Sequence, residues 1–427
     1  MRKLQWHTVQ KRIDDLIPQE VNPRKITDKQ MSDLKRSLKK FNIVEIPAID
    51  LNGKILAGHQ RIKALQLLGR GNELIDVREP NRKLTDDESK QYLISSNALG
   101  GDWDFDALKG FNLDILLDSG FDQIQLAKFW DEENEVKSDE FDIEKELKKI
   151  KTPKTKLGDI ITLGSHKVIC GDSTKQETLI RLFGSERASC IYSDPVYNLE
   201  VDYDGGIGGN QDYGGNVNDK RTFEEYKNFI HDSLKVALKV SCPSTHIFYY
   251  CDQVYIGVIQ DIYRSLGVSN KRVCLWLKNN QNPVPKVAFN KVYEPVVYGI
   301  RGKPYLAESV TNLNEVMNKE LGTGNELITQ VNEYIDVWTA KRLASKDYKH
   351  ATSKPITLHE KAIKRCTKPG EIILDSFLGS GSTLLAGHQL GRKVYGCELE
   401  PQFCDLIIKR FESFTGIKTT TQNHEKK

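Results

Sequence analysis

The chain has 427 residues, of which 38% are hydrophobic and 28% are charged, enough for two or three domains with a full core. The formal net charge of +3 is too small to indicate a nucleic-acid partner by itself, and the absence of a long apolar run or an apolar leader favours a cytoplasmic protein over a membrane or secreted one. The eight cysteines form no CxxC pair, so neither a zinc site nor a disulfide framework is expected.

The first predicted elements lie upstream of residue 131. Thr27 and Gln30 form a capping box before an apolar helix face with 3-4-3 spacing, made of Met31, Leu34, Leu38 and Phe41. The segment IPAIDLNGKILAG predicts two short strands joined by an Asn52-Gly53 turn, and HQRIKALQLLG predicts a helix. Free N–H groups at that helix start, together with Arg61, suit a phosphate, although an ordinary turn with a surface arginine is the alternative.

Three segments in this part resemble the ParB-like domain over about residues 9–125: NPR at 22–24, SLKKFNIVEIPAI, and AGHQRIKAL at 57–65. In that family the corner usually has the sequence G-E-R-R and binds a nucleotide or phosphate. This chain has GHQR at 58–61, without the acidic residue. The resemblance therefore implies an α+β ParB-like domain at 1–130 that binds phosphate or the DNA backbone through Arg24 and Arg61, rather than a nucleotide-hydrolysing domain.

A strongly charged segment with few apolar residues, 131–156, predicts a solvated linker. Beyond it, short apolar strands alternate with amphipathic helices, from KVICGD at 167–172 to KVYGCELE near the C-terminus. This alternation predicts a doubly wound α/β fold with a parallel sheet and helices on both faces over 157–418, followed by a polar tail at 419–427.

The segment ILDSFLGSGSTLL predicts a nucleoside-cofactor site. A strand ends at Asp375, and a turn containing Gly379 and Gly381 leads into a helix, so that backbone N–H groups can approach a ligand closely. Glu398 closes the next strand, where its carboxylate can accept hydrogen bonds from two ribose hydroxyls. The spacing fits neither G-x-G-x-x-G nor a P-loop, and a purely structural turn is the alternative.

The run DSFLGSGST resembles the D-P-F-x-G-S-G-T-T motif of S-adenosylmethionine-dependent amino-methyltransferases, and the resemblance extends over 157–416. Further matching segments are LGD at 157–159, CGDST at 170–174, YEPVVYG at 293–299, HATSKPITL at 350–358 and GCELEPQFCDLIIKR at 396–410. The catalytic strand precedes the cofactor loop, which resembles the circularly permuted beta group of DNA amino-methyltransferases.

That resemblance implies S-adenosylmethionine as the cofactor, bound by Asp172, Lys354, Asp375, Phe377, Gly379, Ser380, Gly381 and Glu398. In the family the residue equivalent to Asp375 faces the methionine amino group, and Asp172 would lie near the adenine. Asp172 as a helix cap is the alternative. His350, Thr352 and Lys354 match H-x-T-x-K-P, whose segment covers the methionine end of the cofactor in the family; the alternative is that they only hold a loop.

The stretch SDPVYN at 193–198 is the predicted catalytic segment. An exocyclic amine is a poor nucleophile because its lone pair is delocalised into the ring, and Asp194 with the Pro195 carbonyl can accept its two hydrogens. Tyr197 offers a ring on which a base that has left the duplex can stack. The family motif is D-P-P-Y, so Val196 replaces a proline and loosens the turn. We expect a working but slower enzyme, with a catalytically silent DNA-binding regulator as the alternative.

Two regions are expected to contact DNA. The stretch DYDGGIGGNQDYGGNVNDK, with six glycines between 205 and 215, predicts either a lid over a flipped base or a disordered insertion. The basic residues of 271–303 alternate with aromatic ones, as suits a phosphate track; they are Lys271, Arg272, Lys278, Lys286, Lys291, Arg301 and Lys303. A second basic cluster lies at 341–354, and target recognition is assigned to about 279–349.

Together these features predict a methyltransferase that acts on double-stranded DNA at adenine N6, because the aspartate motif resembles that specificity. The serine motif is associated with cytosine N4, which is the alternative base. Asp194 disfavours a protein-glutamine methyltransferase, whose motif begins with asparagine. A homodimer and a cognate restriction enzyme are compatible partners of this class.

Overall fold

The computed structural model describes residues 3–19, 28–96, 113–118, 123–198, 220–282, 288–289, 291–307, 336–338 and 354–423. The chain divides into two compact units, Met1–Phe129 and Trp130–Lys427. Several predicted features lie outside the described residues: Arg24, Thr27, the glycine-rich stretch, Lys286, His350, Thr352 and most of 279–349. Across the described ranges, no helix combines the length and apolar character needed to cross a membrane.

The first unit is an α+β unit with a four-stranded sheet. Its elements are β1 (Trp6–Arg12), α1 (Asp28–Phe41), β2 (Ala48–Ile49), β3 (Ile55–Ala57), α2 (His59–Leu67), β4 (Leu74–Pro80), α3 (Asp86–Ser95), α4 (Leu113–Asp118) and the start of α5 (Gln123–Glu133). The strand order is β1-β4-β2-β3, in which only the β2–β4 pair is parallel. The predicted hairpin is confirmed, with Gly53 at φ 81° in the turn between β2 and β3.

Helix α1 buries only part of its predicted apolar face. Leu38 is buried in the core of this unit, and Met31 and Leu34 pack against that core. Phe41, at the last position of the helix, is 60% exposed. The apolar face predicted for α1 therefore includes one residue, Phe41, that the core does not cover.

The second unit is built around a ten-stranded sheet. Its strands are β5 (Ile160–Leu163), β6 (His166–Cys170), β7 (Ala188–Ser193), β8 (Ser241–Tyr250), β9 (Ser269–Asn282), β10 (Lys291–Arg301), β11 (Val337–Trp338), β12 (Ile372–Asp375), β13 (Lys393–Glu398) and β14 (Thr420–Gln422). Its helices are α6 (Ile143–Lys149), α7 (Gln176–Phe183), α8 (Phe223–Lys239), α9 (Ile256–Ser265), α10 (Glu360–Cys366), α11 (Ser382–Gln389) and α12 (Pro401–Thr415).

The sheet is mixed rather than wholly parallel. The order is β11-β9-β10-β8-β7-β12-β13-β6-β5-β14, with a parallel centre from β8 to β6, antiparallel pairs on each side of it and a parallel β11–β9 pair at one edge. Alternate residues of the central strands face opposite sides, so Cys190 and Tyr192 join one core while Ile191 joins the other. Helices α10, α11 and α12 cover the first face, and α7, α8 and α9 cover the second.

The charged segment 131–156 differs from the solvated linker that we predicted, because it packs on the second unit. Ile143 and Leu147 of α6 are buried against Leu406 of α12. Asp131 and Asp139 pair with two buried arginines of the same unit, Arg392 and Arg410. Their negative charges neutralise buried cations, which composition alone does not reveal.

Candidate active site

The two loops predicted to carry chemistry leave adjacent strands of the second unit. Ile373 and Leu374 of β12 pair with Cys190 and Ile191 of β7 in a parallel ladder. The carboxyl ends of parallel strands lie on the same edge of a sheet, so the segments that follow Ser193 and Asp375 emerge side by side. In the second loop, Ser376 stands where the family motif has proline, and its backbone N–H donates a 3.3 Å hydrogen bond to the Ser193 hydroxyl. A proline could not make this link.

Asp194 is surrounded by hydrogen-bond donors. The Tyr197 hydroxyl donates to its Oδ1 at 2.8 Å, and the Lys354 ammonium donates to its Oδ2 at 2.7 Å. Lys354 Nζ also lies 3.1 Å from the Tyr197 hydroxyl. The structure thus places Lys354, predicted as a cofactor contact, at the carboxylate that is predicted to be catalytic.

Glu294, in the YEPVVYG segment at 293–299, completes this cluster, and its role is not apparent from the sequence motif alone. Its Oε2 is 2.9 Å from Lys354 Nζ and 3.1 Å from the Tyr197 hydroxyl oxygen. Its Oε1 pairs with Lys278 of the neighbouring strand β9. A charged residue in the interior of β10, where its sequence neighbours are Tyr293 and Pro295, was the available signal, because a buried carboxylate needs a partner.

Aromatic rings enclose the Lys354 ammonium. It lies 4.9 Å from the ring centroid of Tyr250, 5.3 Å from that of Tyr197 and 5.7 Å from that of Trp276. Ring faces attract cations at these distances. The pocket next to Asp194 is therefore suited to a positively charged nitrogen.

Burial and neighbouring charges shift the acids in opposite directions. Burial raises the pKa of Asp194; Lys354 opposes this increase and Glu294 adds to it. Glu294 is also penalised by burial, but Lys354 and Lys278 more than offset that penalty and lower its pKa to about 2. The same two carboxylates raise the pKa of Lys354 despite its burial. Glu294 and Lys354 are thus both charged at neutral pH.

The turn of the catalytic segment is held by side chains from other elements. The buried Tyr226 of α8 donates to the Val196 carbonyl at 2.7 Å. Asn198 adopts a left-handed conformation at φ 55°, and its side chain bonds the backbone of Arg221 and the hydroxyl of Tyr255. Pro195 lies between Asp194 and this fixed turn and is buried.

Two acids lie at the predicted cofactor loop: Asp375 is buried, and Glu398, at the end of β13, is half-buried. Asp375 accepts from the Phe377 N–H at 3.0 Å, and Glu398 accepts from the Gly379 N–H at 2.8 Å. Burial raises the pKa of Asp375 to about 7 and that of Glu398 to about 7, and these backbone donors only partly oppose the rise. The Glu400 N–H also donates to Glu398 at 2.9 Å. Two carboxylates whose pKa values stay raised despite these donors suit a ligand that brings an ammonium and hydroxyl groups.

Further contacts fix the shape of this loop. Gly381 caps α11 at φ 83°, and a Cβ added there would lie 3.4 Å from the Ile407 side chain. The Ser380 carbonyl accepts from Arg410 at 2.9 Å. Phe377 packs against the rings of Phe229 and Tyr249.

Asp172 lies in a turn before α7. Its Oδ1 accepts from the Thr174 N–H at 2.9 Å and from the Thr174 hydroxyl at 2.7 Å. It is not the N-cap of α7, since Lys175 occupies that position without a side-chain capping bond. The helix-cap alternative is therefore wrong, while the assignment to the cofactor adenine stays a prediction.

Several basic residues predicted to contact DNA serve within the protein instead. Lys278 pairs with Glu294, Lys291 pairs with Asp252, and Arg301 donates to the Cys242 carbonyl at 2.7 Å. Residues 291–301, assigned to target recognition, form β10 in the middle of the sheet. Lys271 and Arg272 are exposed, as a DNA contact requires.

In the first unit, Arg61 lies in the first turn of α2 and pairs with Glu45. Gly58 precedes the helix at φ 93°, close to Pro47, so the predicted glycine corner is present. Burial lowers the pKa of the neighbouring His59 to about 4, so this histidine is neutral at physiological pH. Arg61 is the positive side chain at this corner.

Taken together, the second unit presents an acceptor cluster for a polar nitrogen beside a loop suited to a nucleoside. Asp194 accepts hydrogen bonds, aromatic rings attract positive charge, and Asp375 and Glu398 are acids with raised pKa values. No group of three or more histidine, cysteine or acidic side chains in the described ranges is arranged to hold a metal ion. This arrangement fits a nucleophilic amine that attacks a nucleoside-derived donor in line.

Comparison with known proteins gives matches along the same part of the chain. A family model described as DNA methylase matches residues 188–409, slightly more than half of the sequence. The type II methyltransferase M2.DpnII of Streptococcus pneumoniae is 29% identical over 247 residues, covering 53% of this chain and 84% of that protein. The type II methyltransferase M.BamHI of Bacillus amyloliquefaciens is 24% identical over 302 residues, covering 68% of this chain and 64% of that protein. Among solved structures, the M1.HpyAVI–SAM complex aligns with 57% of this chain and 98% of its own at 20% identity, with a TM-score of 0.40.

Proposed function

The chain belongs to the N6/N4 DNA methylase family, and from this premise we propose that it transfers a methyl group from S-adenosylmethionine to the N6 amine of an adenine flipped out of double-stranded DNA. The observation that carries the proposal is the pairing of β7 with β12, which sets the Asp194 segment beside the Asp375 loop. An acceptor for an amine and a site for a nucleoside cofactor are thereby neighbours in one sheet.

The residues present fit the cofactor. Asp375 and Glu398 are acids whose pKa values are raised to about 7 by burial, and each would be stabilised in its charged form by donors from a ligand. Asp375 would hold the methionine ammonium and Glu398 the ribose hydroxyls, while Gly379, Ser380 and Gly381 give the backbone close access. Asp172 would lie near the adenine of the cofactor, and Phe377 would lie near its methionine end. When bound, S-adenosylmethionine supplies an electrophilic methyl group on a sulfonium.

Asp194 is the residue that accepts hydrogen bonds from the amine. As the amine nitrogen forms its bond to the methyl group, positive charge develops on it, and a carboxylate with the Pro195 carbonyl stabilises that charge. Tyr197 stacks on the flipped base and is held in place by its hydroxyl bonds to Asp194 and Glu294. The sulfur departs with the electron pair of the broken bond, and the amine proton leaves to solvent once the product has formed.

Adenine N6 is favoured over cytosine N4 because the catalytic motif begins with aspartate rather than serine. The family is shared by both specificities, so cytosine N4 is the second candidate. A catalytically silent DNA-binding regulator is disfavoured by the turn at Val196, whose carbonyl is fixed by Tyr226.

The proposal extends to the first unit and to partners. We assign 1–130 as a ParB-like domain that binds phosphate or the DNA backbone at the Arg61 corner. Residues 157–418 constitute the methyltransferase domain, with a circularly permuted order in which the catalytic strand precedes the cofactor loop. We place the protein in the cytoplasm, alone or as a homodimer, and a cognate restriction enzyme is the partner expected for a relative of type II methyltransferases.

Incubation with tritiated S-adenosylmethionine and whole-genome-amplified DNA, which carries no methylation, tests the proposal. We expect label on DNA with the wild type and none with Asp194→Ala, while both proteins bind cofactor with affinities within about twofold. Nucleoside analysis of the labelled DNA distinguishes N6-methyladenine from N4-methylcytosine. Tight DNA binding without any transfer would favour the silent regulator.

A further inference from the structure

Both carboxylate oxygens of Asp194 already have hydrogen-bond donors. Tyr197 occupies Oδ1 and Lys354 occupies Oδ2, the latter at 2.7 Å. An amine that is to donate to Asp194 must replace one of them. Lys354 is the closer analogue, because its nitrogen is positively charged and lies among the aromatic rings that suit a cationic nitrogen.

Displacement of Lys354 would be costly if it had no other acceptor. Its side chain is only 9% exposed, and a buried ammonium without a counter-charge is strongly unfavourable. Glu294 provides the second acceptor at 2.9 Å, so Lys354 can leave Asp194 without leaving its pocket. The same Glu294 oxygen lies 3.1 Å from the Tyr197 hydroxyl oxygen.

Glu294 is itself fixed on the far side. Its other oxygen pairs with Lys278, which lies on strand β9, next to β10 in the sheet. Two lysines and two carboxylates in this cluster give a balanced local charge. When Glu294 holds both lysines, Asp194 is left with its full negative charge facing the amine, where positive charge develops during transfer.

We propose that Glu294 is a positioning residue that takes over Lys354 as the base amine reaches Asp194, so that the carboxylate is released for the reaction. This inference rests on the proposed function. Glu294 touches neither cofactor nor amine and acts through Lys354. Without Glu294, Lys354 would stay bound to Asp194 and compete with the amine.

The test compares initial rates of label transfer to whole-genome-amplified DNA for the wild type, Glu294→Gln and the double variant Glu294→Gln/Lys354→Met. Glutamine keeps the shape but loses the charge, so we expect kcat at least about tenfold lower, with the cofactor Kd within about twofold of wild type. Removal of the competing ammonium should make the double variant at least about threefold faster than Glu294→Gln alone. Glu294→Asp should retain more activity than Glu294→Gln.

A matched control exists on the opposite part of the sheet. Glu186 also accepts from a lysine and a tyrosine, Lys167 at 2.8 Å and Tyr395 at 2.5 Å, and it lies outside the catalytic cluster. Glu186→Gln should leave kcat within about twofold of wild type. Melting temperatures of all variants separate loss of fold from loss of turnover.

Wild-type kcat in Glu294→Gln would overturn the inference, as would a double variant no faster than Glu294→Gln. A purely structural role of Glu294 predicts the latter result, because a second core substitution adds damage. If wild-type protein transfers no label to DNA, the proposed function fails and this inference fails with it. If the wild type transfers label and Glu294→Gln has the same kcat, the inference about Glu294 is rejected but the proposed function stands.

Discussion

The Tyr226 hydroxyl donates a 2.7 Å hydrogen bond to the carbonyl oxygen of Val196. Tyr226 is fully buried in α8, so this bond fixes the turn at the position where the family motif has its second proline. Proline would restrict the same turn through its own ring. A neighbouring helix therefore supplies a restraint that the local sequence lacks.

Tyr226→Phe should lower kcat, because the turn that carries Asp194 and the Pro195 carbonyl loses its external restraint. We expect a reduction of about three- to tenfold, consistent with the roughly 1 kcal/mol of one hydrogen bond. Val196→Pro in the wild-type background should leave kcat unchanged or slightly raised. In the double variant Tyr226→Phe/Val196→Pro, the proline should restore part of the kcat that Tyr226→Phe loses. A double variant no faster than Tyr226→Phe alone in a label-transfer assay would refute this explanation.

Cofactor affinity should rise with pH between about 5 and 8. The pKa values of Asp375 and Glu398 are raised to about 7, so both acids tend to be protonated in the cofactor-free protein below that pH. A ligand that donates hydrogen bonds to them stabilises their charged forms, so binding must release protons in acidic buffer. Each carboxylate contributes up to about tenfold in Kd per pH unit.

Calorimetric titration of wild type and Glu398→Gln across this pH range measures the effect. In the ratio of the two Kd values, any effect of ionisation of the cofactor itself cancels. This ratio should change with pH as expected for the ionisation of one carboxylate, that of Glu398. The free energy of unfolding changes with pH in the opposite direction. Because the pKa values of Asp375 and Glu398 are raised in the folded protein, their protonation stabilises the cofactor-free protein below pH about 4, and this contribution is lost as pH rises through about 7. A ratio that does not vary with pH would contradict a charged Glu398 in the complex.

Asp139→Ala should destabilise the second unit and weaken cofactor binding together. Asp139 accepts from Arg410 at 2.6 and 2.9 Å, and Arg410 in turn donates to the Ser380 carbonyl of the cofactor loop. Loss of one partner leaves a buried guanidinium uncompensated, which typically costs about 3–5 kcal/mol. Chemical denaturation and cofactor titration check both effects. The neighbouring Glu140 is exposed, so Glu140→Gln is the control and should alter neither.

The second unit should fold without the first only if the truncated chain keeps the charged segment 131–156. A chain of residues 130–427 keeps Asp131, whose carboxylate bonds the fully buried Arg392, and it should fold and bind cofactor. A chain of residues 157–427 lacks Asp131, Asp139 and α6, so we expect it to melt at much lower temperature or to aggregate. Thermal melts followed by circular dichroism distinguish these outcomes, and equal melting temperatures would refute a structural role for 131–156.

Local patterns in the sequence predicted most elements of the larger unit. The strands at 167–172 and 372–375 and the helix after GSGS form as expected, because apolar alternation and glycine turns act over a few residues. The antiparallel pairs that flank the parallel centre of the sheet could not be predicted in this way. Pairing of β10 with β8 and β9 depends on contacts between distant segments, which periodicity does not encode.

Charge composition was the least reliable guide. Lys278 and Lys291 lie in a basic, aromatic segment that predicts DNA contacts. In the structure Lys278 pairs with Glu294 on the neighbouring strand, and Lys291 pairs with Asp252 from another part of the sequence. The acids of 131–156 indicated a solvated linker for the same reason. Whether a charge faces solvent or a buried counter-charge is decided by tertiary packing, so a count of acids and bases in one segment cannot reveal it.

The pairing of Ile373 with Cys190 and of Leu374 with Ile191 has a mechanical consequence. Neighbouring strands in a sheet are about 4.8 Å apart, and their hydrogen bonds resist any change in that spacing. The loops that follow them therefore bend and twist as one body when the sheet deforms. The separation between the Asp194 segment and the Asp375 loop is thus set by a ladder of backbone bonds. Different DNA sequences can therefore alter how often transfer begins without altering the distance that the methyl group travels.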